Sequence, residues 1–489
     1  MKLIWLLLIP ILAGAASAAA PDRRLAYWLS GVGSTLTLLA GMLVALPVLA
    51  GSGVVREAGG LFRVDALSAL LVAVIVIVGA MATLYSAGYM EKEVAEGVFE
   101  PRRLKWYYLW LHVFIFTMLL TVTVDNLGLM WVAIEATTLV SALLVGFTHQ
   151  RASLEAAWKY IIICTVGIGF ALLGTILTFA AAQQALGEAG GTLDWTALVE
   201  ASPSLPVGLV KLAFIFILVG YGTKAGLAPM HTWLPDAHSQ APSPVSALLS
   251  GVLLNCALYG IVRFHIIVSG SPAGDFSANL LLLFGLVSMG LAVPFVLTQQ
   301  DIKRMLAYSS VEHMGIMAVG FGFGGPLAVY GALLHLVNHA LTKAMLFLVA
   351  GNLAHRYHTR QMARIKGAAQ AMPVTGTLLL LGAFAITGSP PFGLFASEFS
   401  VLTAGFHQGR LIPAVLFLLF IAVIFAGFAY YAGKMALGGL PARIPRGEKL
   451  GWQAALVILP TLVVLALGIY MPPALGKALE AVAGVVRGV

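Results

Sequence analysis

The sequence predicts an all-α polytopic membrane protein of about fourteen transmembrane helices, with two inverted five-helix repeats and broken seventh and twelfth helices. Three observations carry this. Of 489 residues, 60% are apolar and only 10% charged, and the mean hydropathy is +0.95, a balance foreign to soluble globular chains. Apolar runs of about 20 residues, the length that crosses a bilayer, follow one another along the chain. Two of these runs are interrupted by proline and glycine next to a charge.

The runs lie at about 3–20, 27–50, 64–88, 107–124, 126–147, 158–182, 207–228, 243–268, 278–298, 303–322, 326–351, 373–403, 412–436 and 453–472. The first, MKLIWLLLIPILAGAASAAAPDRR, has two readings: a cleaved signal peptide with Ala16-Ser17-Ala18 at its end, or a first transmembrane helix that is retained. Its near-full length and the many spans behind it favour the helix. The connections 89–106 and 183–206 are too short to fold alone. Residues 1–105 hold the first three spans, 106–270 the first repeat, 276–436 the second, and 437–489 the last span with a short tail.

The net charge of +8 does not mark a nucleic-acid binder, because its placement follows the connections. Those after odd-numbered spans carry Arg23, Arg24, Lys92, Arg102, Arg103, Lys303, Arg304, Arg356, Arg443 and Arg446, among others. Those after even-numbered spans hold only Arg56, Arg63, Arg263 and Arg410, and 183–206 is acidic. By the positive-inside rule both termini lie outside the cytoplasm of a multi-pass plasma-membrane protein, expected in a bacterial inner membrane. Cys164 and Cys256 are isolated thiols inside spans. An iron–sulfur cluster needs about four ligands, so no redox centre and no cofactor is expected.

Lys224 stands in VGLVKLAFIFILVGYGTKAGLAPMHTWLPDAHSQAPSPVSALLSG, with Pro229 five residues on. A membrane-depth amine costs at least about 2.5–3.5 kcal/mol, and a proline beside it frees backbone groups that lipid cannot satisfy. Together they describe an ion site in an interrupted helix. The second interruption is Gly388-Ser389-Pro390-Pro391-Phe392-Gly393, followed by Glu398. Membrane carboxylates precede both, Glu135 and Glu312, at separations of about 89 residues (Glu135 to Lys224) and about 86 (Glu312 to Glu398), as a repeat gives.

Glu135 and Lys224 are expected to pair, since each solves the other's burial, and to act as a titration switch when separated. A static structural pair is the alternative. His335, His339 and Lys343 recur every four residues, so on a helix they stack on one face about 6 Å apart per step, a spacing that suits a proton wire. A metal site is the alternative, and it is disfavoured because no acidic or cysteine partner lies beside the histidines in sequence. Haem is disfavoured because one helix rarely presents both axial ligands. Glu312 and His313 are adjacent, so only one is expected to face the polar path. Lys303 and Arg304 read as an anchor at the cytoplasmic end of their helix, with Lys303 a possible part of an input route. His112 and His265 read as packed residues, and Glu155 with Lys159 as an interfacial pair.

The segments LMWVAIEATTL, KAGLAPMHTWLPDAHSQAPSPVSALLSGVLLNCALYGIVR, QQDIKRMLAYSSVEHMGIM, LHLVNHALTKAMLFL and GSPPFGLFASEF resemble the antiporter-like proton-translocating membrane subunits of respiratory complex I, Mrp antiporters and membrane-bound hydrogenases. SSVEHMGIM and LLNCALYG look most like component F of the hydrogenase-4 type. The resemblance implies a fourteen-helix bundle with inverted five-helix repeats. It also implies that Glu135 is the fifth-helix carboxylate, Lys224 its broken-helix partner, His335, His339 and Lys343 the central polar axis, and Glu398 the exit-side residue. The subunit itself is then non-catalytic. Its partners are other membrane subunits and a peripheral redox module, nickel–iron hydrogenase-like or complex I-like. Asn255 stands where many members carry lysine, and an amide cannot hold a transferred proton. Water, Glu312 or His313 would have to bridge Lys224 to His335. With about fifteen residues after the last span, no long lateral helix is expected. An Mrp-type sodium/proton antiporter subunit, a quinone- or haem-binding enzyme and a packing scaffold are the competing readings.

Overall fold

Uninterrupted apolar stretches bounded by Asp, Asn, Gly and Pro fold into helices, because a backbone in lipid must satisfy its own hydrogen bonds. A computed structural model describes residues 1–187, 191–449 and 451–488. The acidic connection 183–206 therefore lies partly outside the described residues. The chain runs α1 (Lys2–Ala19), α2 (Arg23–Leu49), a hairpin of β1 (Val55–Glu57) and β2 (Phe62–Val64), α3 (Ala66–Ala95), α4 (Leu104–Thr123), α5 (Leu127–Val145) and α6 (Arg151–Leu186). It continues with α7 (Trp195–Ala201), α8 (Val207–Ala225), α9 (Trp233–Gln240), α10 (Ser243–Leu248), a wide π turn at Leu249–Leu253 and α11 (Leu254–Ser269). Then follow α12 (Phe276–Thr298), α13 (Ile302–Phe323), α14 (Gly325–Tyr357), α15 (Ala368–Ala371), α16 (Pro373–Ile386), α17 (Gly393–His407), α18 (Leu411–Leu437), α19 (Ala455–Ile469) and α20 (Pro473–Arg487).

Twelve described helices are long and apolar enough to cross a membrane. The expected count of about fourteen also takes in α13, which carries Lys303, Arg304 and Glu312, and the interrupted pair α16–α17. Starts are fixed by side chains that accept from orphan backbone N–H groups: Asp65 from Ser68 (2.9 Å), Asn126 from Gly128 (3.0 Å) and Asp301 from Lys303 (2.8 Å). The continuous helix α10–α11 is buried throughout, and α3 and α14 nearly so. The outer helices α2, α6, α18 and α19 instead expose Leu43, Ile162, Ile412 and Leu462. Such a ring of outward apolar side chains suits hydrocarbon, where close packing rather than water exclusion holds helices together. Small residues allow that packing: a Cβ on Gly285 of α12 would lie 2.8 Å from the Gly315 carbonyl oxygen of α13.

Two features were not anticipated. The tail forms α20, whose Leu479, Val482 and Val486 are buried where it packs against α14 and α3. Arg263, taken for a connection residue, lies inside α11, 3% exposed, and donates two 2.7 Å bonds to Asp65. Its guanidinium also stacks on Trp195 and Tyr259. Asp65, just outside α3, feels burial pushing its carboxyl up, but Arg263 and Arg63 beside it hold it well below the usual carboxylate range.

Candidate functional site

Both predicted interruptions are present. Between α8 and α9, Gly226 takes a left-handed conformation (φ 77°) and ends α8, its N–H bonding the Gly222 and Thr223 carbonyls. Trp233 Nε1 donates to the Thr223 carbonyl at 2.8 Å, and the Ala228 N–H donates to Ser288 Oγ at 2.9 Å. Between α16 and α17 the left-handed residue is Gly388 (φ 62°). Cis peptides occur at Ala228–Pro229 and Pro390–Pro391. Backbone groups freed inside the bundle thus find protein partners rather than lipid.

Lys224, fully buried in the last turn of α8, does not contact Glu135. Its Nζ donates to Thr138 Oγ1 at 2.8 Å and to the Tyr160 hydroxyl, and lies 4.6 Å from the Tyr160 ring centroid. The expected direct ion pair is therefore corrected. Hydroxyls, the aromatic face and the negative end of the α8 dipole supply what a carboxylate was expected to supply. Glu135 lies one helical turn from Thr138, half-buried, accepting from Thr165 Oγ1 at 3.1 Å. Its Oε2 is buried with no partner among the described residues. The two groups share the α5–α6–α8 interface but point to neighbouring levels of it.

His335 and His339 stack on one face of α14 with ring centroids 6.3 Å apart, as their spacing predicts. His313 of α13 wedges between them at 5.0 Å from each, and its Nδ1 lies 2.9 Å from His335 Nε2. His335 Nδ1 in turn meets Ser397 Oγ at 3.0 Å. Glu398 follows on α17, with a carboxylate oxygen within 4.8 Å of donor nitrogens of His313 and His335. The histidines lack an acidic neighbour along the sequence but not in space, where a distant helix supplies Glu398. Two imidazole nitrogens and a carboxylate oxygen are a donor set that Zn²⁺ accepts.

Lys343 turns toward α13, donating to the Leu306 carbonyl and Ser309 Oγ, each at 2.6 Å. Glu312 is buried within electrostatic reach of Lys343 and of Glu398. Glu312 and His313 therefore both border the polar axis, against the expectation that only one would. Adjacent helix positions differ by about 100°, and two polar neighbours here lie on different sides of α13. The order along α14 is also the reverse of the simplest reading. Its His335 end abuts Glu398, and its Lys343 end faces the first half of the chain.

Asn255 follows the π turn and donates Nδ2 back to the Gly251 carbonyl at 2.8 Å, leaving Oδ1 without a partner. The residue facing the gap between Lys224 and Lys343 is one that sequence reasoning missed, His238 of α9. It is fully buried, with neither ring nitrogen hydrogen-bonded among the described residues. Its ring lies 6.0 Å from Trp233, whose tilted ring lies 4.6 Å from that of Tyr160, and it is within electrostatic reach of Lys343 and Lys303. Lys303 is no surface anchor: it is 3% exposed and donates to the Ala241 carbonyl at 2.6 Å. Arg304 keeps a more superficial role, pairing with Asp236, which Lys159 also reaches at 3.3 Å. His112 and His265 are packed on Ser30 and Ser277, and Cys164 and Cys256 are free thiols.

Comparisons with known proteins give the family and the fold. Residues 124–425 match the family described as NADH:quinone oxidoreductase/Mrp antiporter, TM, and residues 61–99 match the N-terminus of chain 5 of NADH-ubiquinone oxidoreductase (complex I). The chain is 40% identical over 426 residues to a hydrogenase-4 component F homolog of Methylacidiphilum infernorum (isolate V4), covering 85% of this chain and 86% of that protein. It is 34% identical over 360 residues to hydrogenase-4 component B of Escherichia coli (strain K12), covering 71% of this chain but only 51% of that protein. In fold it is similar to a chain of the membrane-bound sulfane sulfur reductase, an archaeal respiratory membrane complex (TM-score 0.88, 22% identity, 99% of this chain and 97% of that one). A chain of the Mrp complex from Dietzia sp. DQ12-45-1b is also similar (TM-score 0.86, 20% identity, with the same coverages). The chain belongs to the NADH:quinone oxidoreductase/Mrp antiporter family of membrane subunits.

Proposed function

We propose that this chain is a proton-translocating subunit of a redox-driven membrane complex of hydrogenase-4 or complex I-related type. Its partners are further membrane subunits and a peripheral redox module that performs the electron transfer. Protons pass from the Glu135–Lys224 region through His238 to Lys343, then along His339, His313 and His335 to Glu398. The observation that carries this reading is a row of buried ionisable groups in the bundle interior, flanked by two helix breaks. Such groups are expensive at membrane depth and mark ion pathways. Imidazoles can pass a proton by accepting at one nitrogen and donating at the other. Lys224 is held by hydroxyls, with Glu135 one turn away. Movement of Glu135 toward or away from it changes the proton affinity of the amine, which is how a distant redox event would drive transfer.

Residues 106–270 and 276–436 form the two inverted repeats in this reading, with their breaks in corresponding places. The subunit sits in a bacterial inner membrane with both termini on the non-cytoplasmic side, as the placement of lysine and arginine implies.

The test is proton uptake by inverted vesicles carrying the assembled complex, scaled to the amount of subunit present. Lys224→Ala and His238→Ala are expected to abolish coupled proton movement while the complex still assembles; normal uptake in either variant overturns the pathway. Glu135, with a free oxygen beside the Thr165 hydroxyl, offers the oxygen ligands that sodium also takes. A ΔpH that depends on added sodium would move the assignment to an Mrp-type sodium/proton antiporter subunit.

A further inference from the structure

The polar axis leaves one large feature unused. A cavity of about 1020 Å³ opens between the C-terminal turns of α3 and α14, the N-terminus of α16 and the connection 438–454. Six lysine or arginine side chains line it against two glutamates. The cations are Lys92, Arg356, Arg364, Arg443, Arg446 and Lys449, and none forms an ion pair among the described residues. Of the glutamates, Glu448 is already engaged, accepting from the Val374 and Thr375 N–H groups at 3.0 and 3.1 Å and from the Thr375 hydroxyl. His355 on the wall is held by Glu93 at 2.8 Å and by stacking on Tyr89. Arg356 is fixed by donation to the Gly447 carbonyl at 2.7 Å and the Pro445 carbonyl at 3.2 Å, which ties the connection over the opening.

The basic connections place this cavity on the cytoplasmic side. Trp452, 53% exposed beside the lining residues Gly451 and Gln453, marks the depth of the membrane interface, where tryptophan concentrates. Topology signals alone would scatter cations around the rim of the protein. Here six converge on one volume against two glutamates, an excess of four positive charges. Guanidinium groups match phosphate oxygens in geometry as well as charge.

We propose that this cavity binds a phosphate-bearing anion, supplied in the membrane by the headgroup of an anionic phospholipid. Basic pockets between helices on the cytoplasmic side take such headgroups. The site is independent of the proton path and stands or falls separately from it.

The experiment is native mass spectrometry of the full chain in detergent, titrated with cardiolipin, with phosphatidylcholine and, in a separate arm, with inorganic pyrophosphate. Cardiolipin is expected to be retained in preference to phosphatidylcholine. Arg443→Gln/Arg446→Gln/Lys449→Gln should weaken retention about 100-fold, while Lys434→Gln, outside the cavity, should not. Arg443→Lys/Arg446→Lys should keep most of it, which separates charge from misfolding. Pyrophosphate binding that the triple substitution removes would make the source a soluble anion. Pyrophosphate indifference with cardiolipin retention would make it the lipid. Equal cardiolipin retention in the triple variant and the parent, or no preference over phosphatidylcholine together with no pyrophosphate binding, overturns the proposal.

Discussion

Gly388→Ala is the most informative single methyl group that can be added to this protein. Gly388 sits in a left-handed conformation at φ 62°, and a Cβ built there would lie 2.6 Å from the carboxyl carbon of Glu398, closer still to Oε2. A non-glycine residue in that backbone conformation costs about 1–2 kcal/mol. Overpacking a filled site costs a further 1–3 kcal/mol or so. Either the break shifts or the Glu398 carboxylate leaves its place beside His335 and His313. The combined cost of about 2–5 kcal/mol corresponds to a 30-fold to several-thousand-fold loss if it falls on proton transfer. The assay is proton uptake by inverted vesicles with the assembled complex, read beside the thermal stability of the purified complex. Gly388→Ala should abolish uptake as fully as Glu398→Gln does. Adding Glu398→Asp to Gly388→Ala, which withdraws one methylene, should recover part of the lost stability. Wild-type uptake and an unshifted melting temperature in Gly388→Ala would refute the close approach of glycine and carboxylate on which this reasoning depends.

Three further outcomes are expected. Removing both hydroxyls around Lys224 with Thr138→Val and Tyr160→Phe should destabilise the complex by about 2–4 kcal/mol and reduce proton uptake more than either single change; unaltered uptake would show that these groups do not hold the amine. Asp65→Asn should destabilise the fold by about 3–5 kcal/mol, because it leaves the buried Arg263 charge uncompensated. The folded-state pKa of Asp65 is depressed, so its contribution is present above the unfolded value of about 3.9 and fades as pH falls through that value toward the folded one. Melting temperature against pH should therefore fall more steeply in acid for the parent than for the variant, and parallel curves would count against the pair. Zinc should bind at His313, His335 and Glu398 and slow proton uptake, with recovery on chelation. Metal analysis showing no loss of bound zinc in His335→Gln would place the metal elsewhere.

The sequence made the two broken helices legible because proline and glycine next to a lone charge have few explanations inside a membrane. It also made the α14 ladder legible, because a four-residue spacing fixes one face. It could not reveal the partners of Lys224. The attraction of opposite charges suggested Glu135, whereas Thr138 and Tyr160 are uncharged span residues with no signal of their own until three helices converge. His238 was overlooked for a related reason. Its short segment, WLPDAHSQ, reads as a polar connection until the break folds it back into the bundle. Arg263 was misassigned because it lies near a span end, and only Asp65 from a distant helix explains its burial. The tail was missed as α20 because its apolar positions cover one stripe rather than a continuous run.

The length of α14 has a mechanical consequence. Its 33 residues make a rod of about 50 Å, against a hydrocarbon core of about 30 Å. Tilting alone cannot absorb so large an excess, so part of the rod must stand in the headgroup region. His335 lies ten residues and Lys343 eighteen residues beyond Gly325, or about 15 and 27 Å along the axis. The histidine rungs are therefore nearer the N-terminal end, and His355 and Arg356 stand at the other, on the wall of the basic cavity. A displacement of that end is carried to the rungs, because one stiff element joins the two.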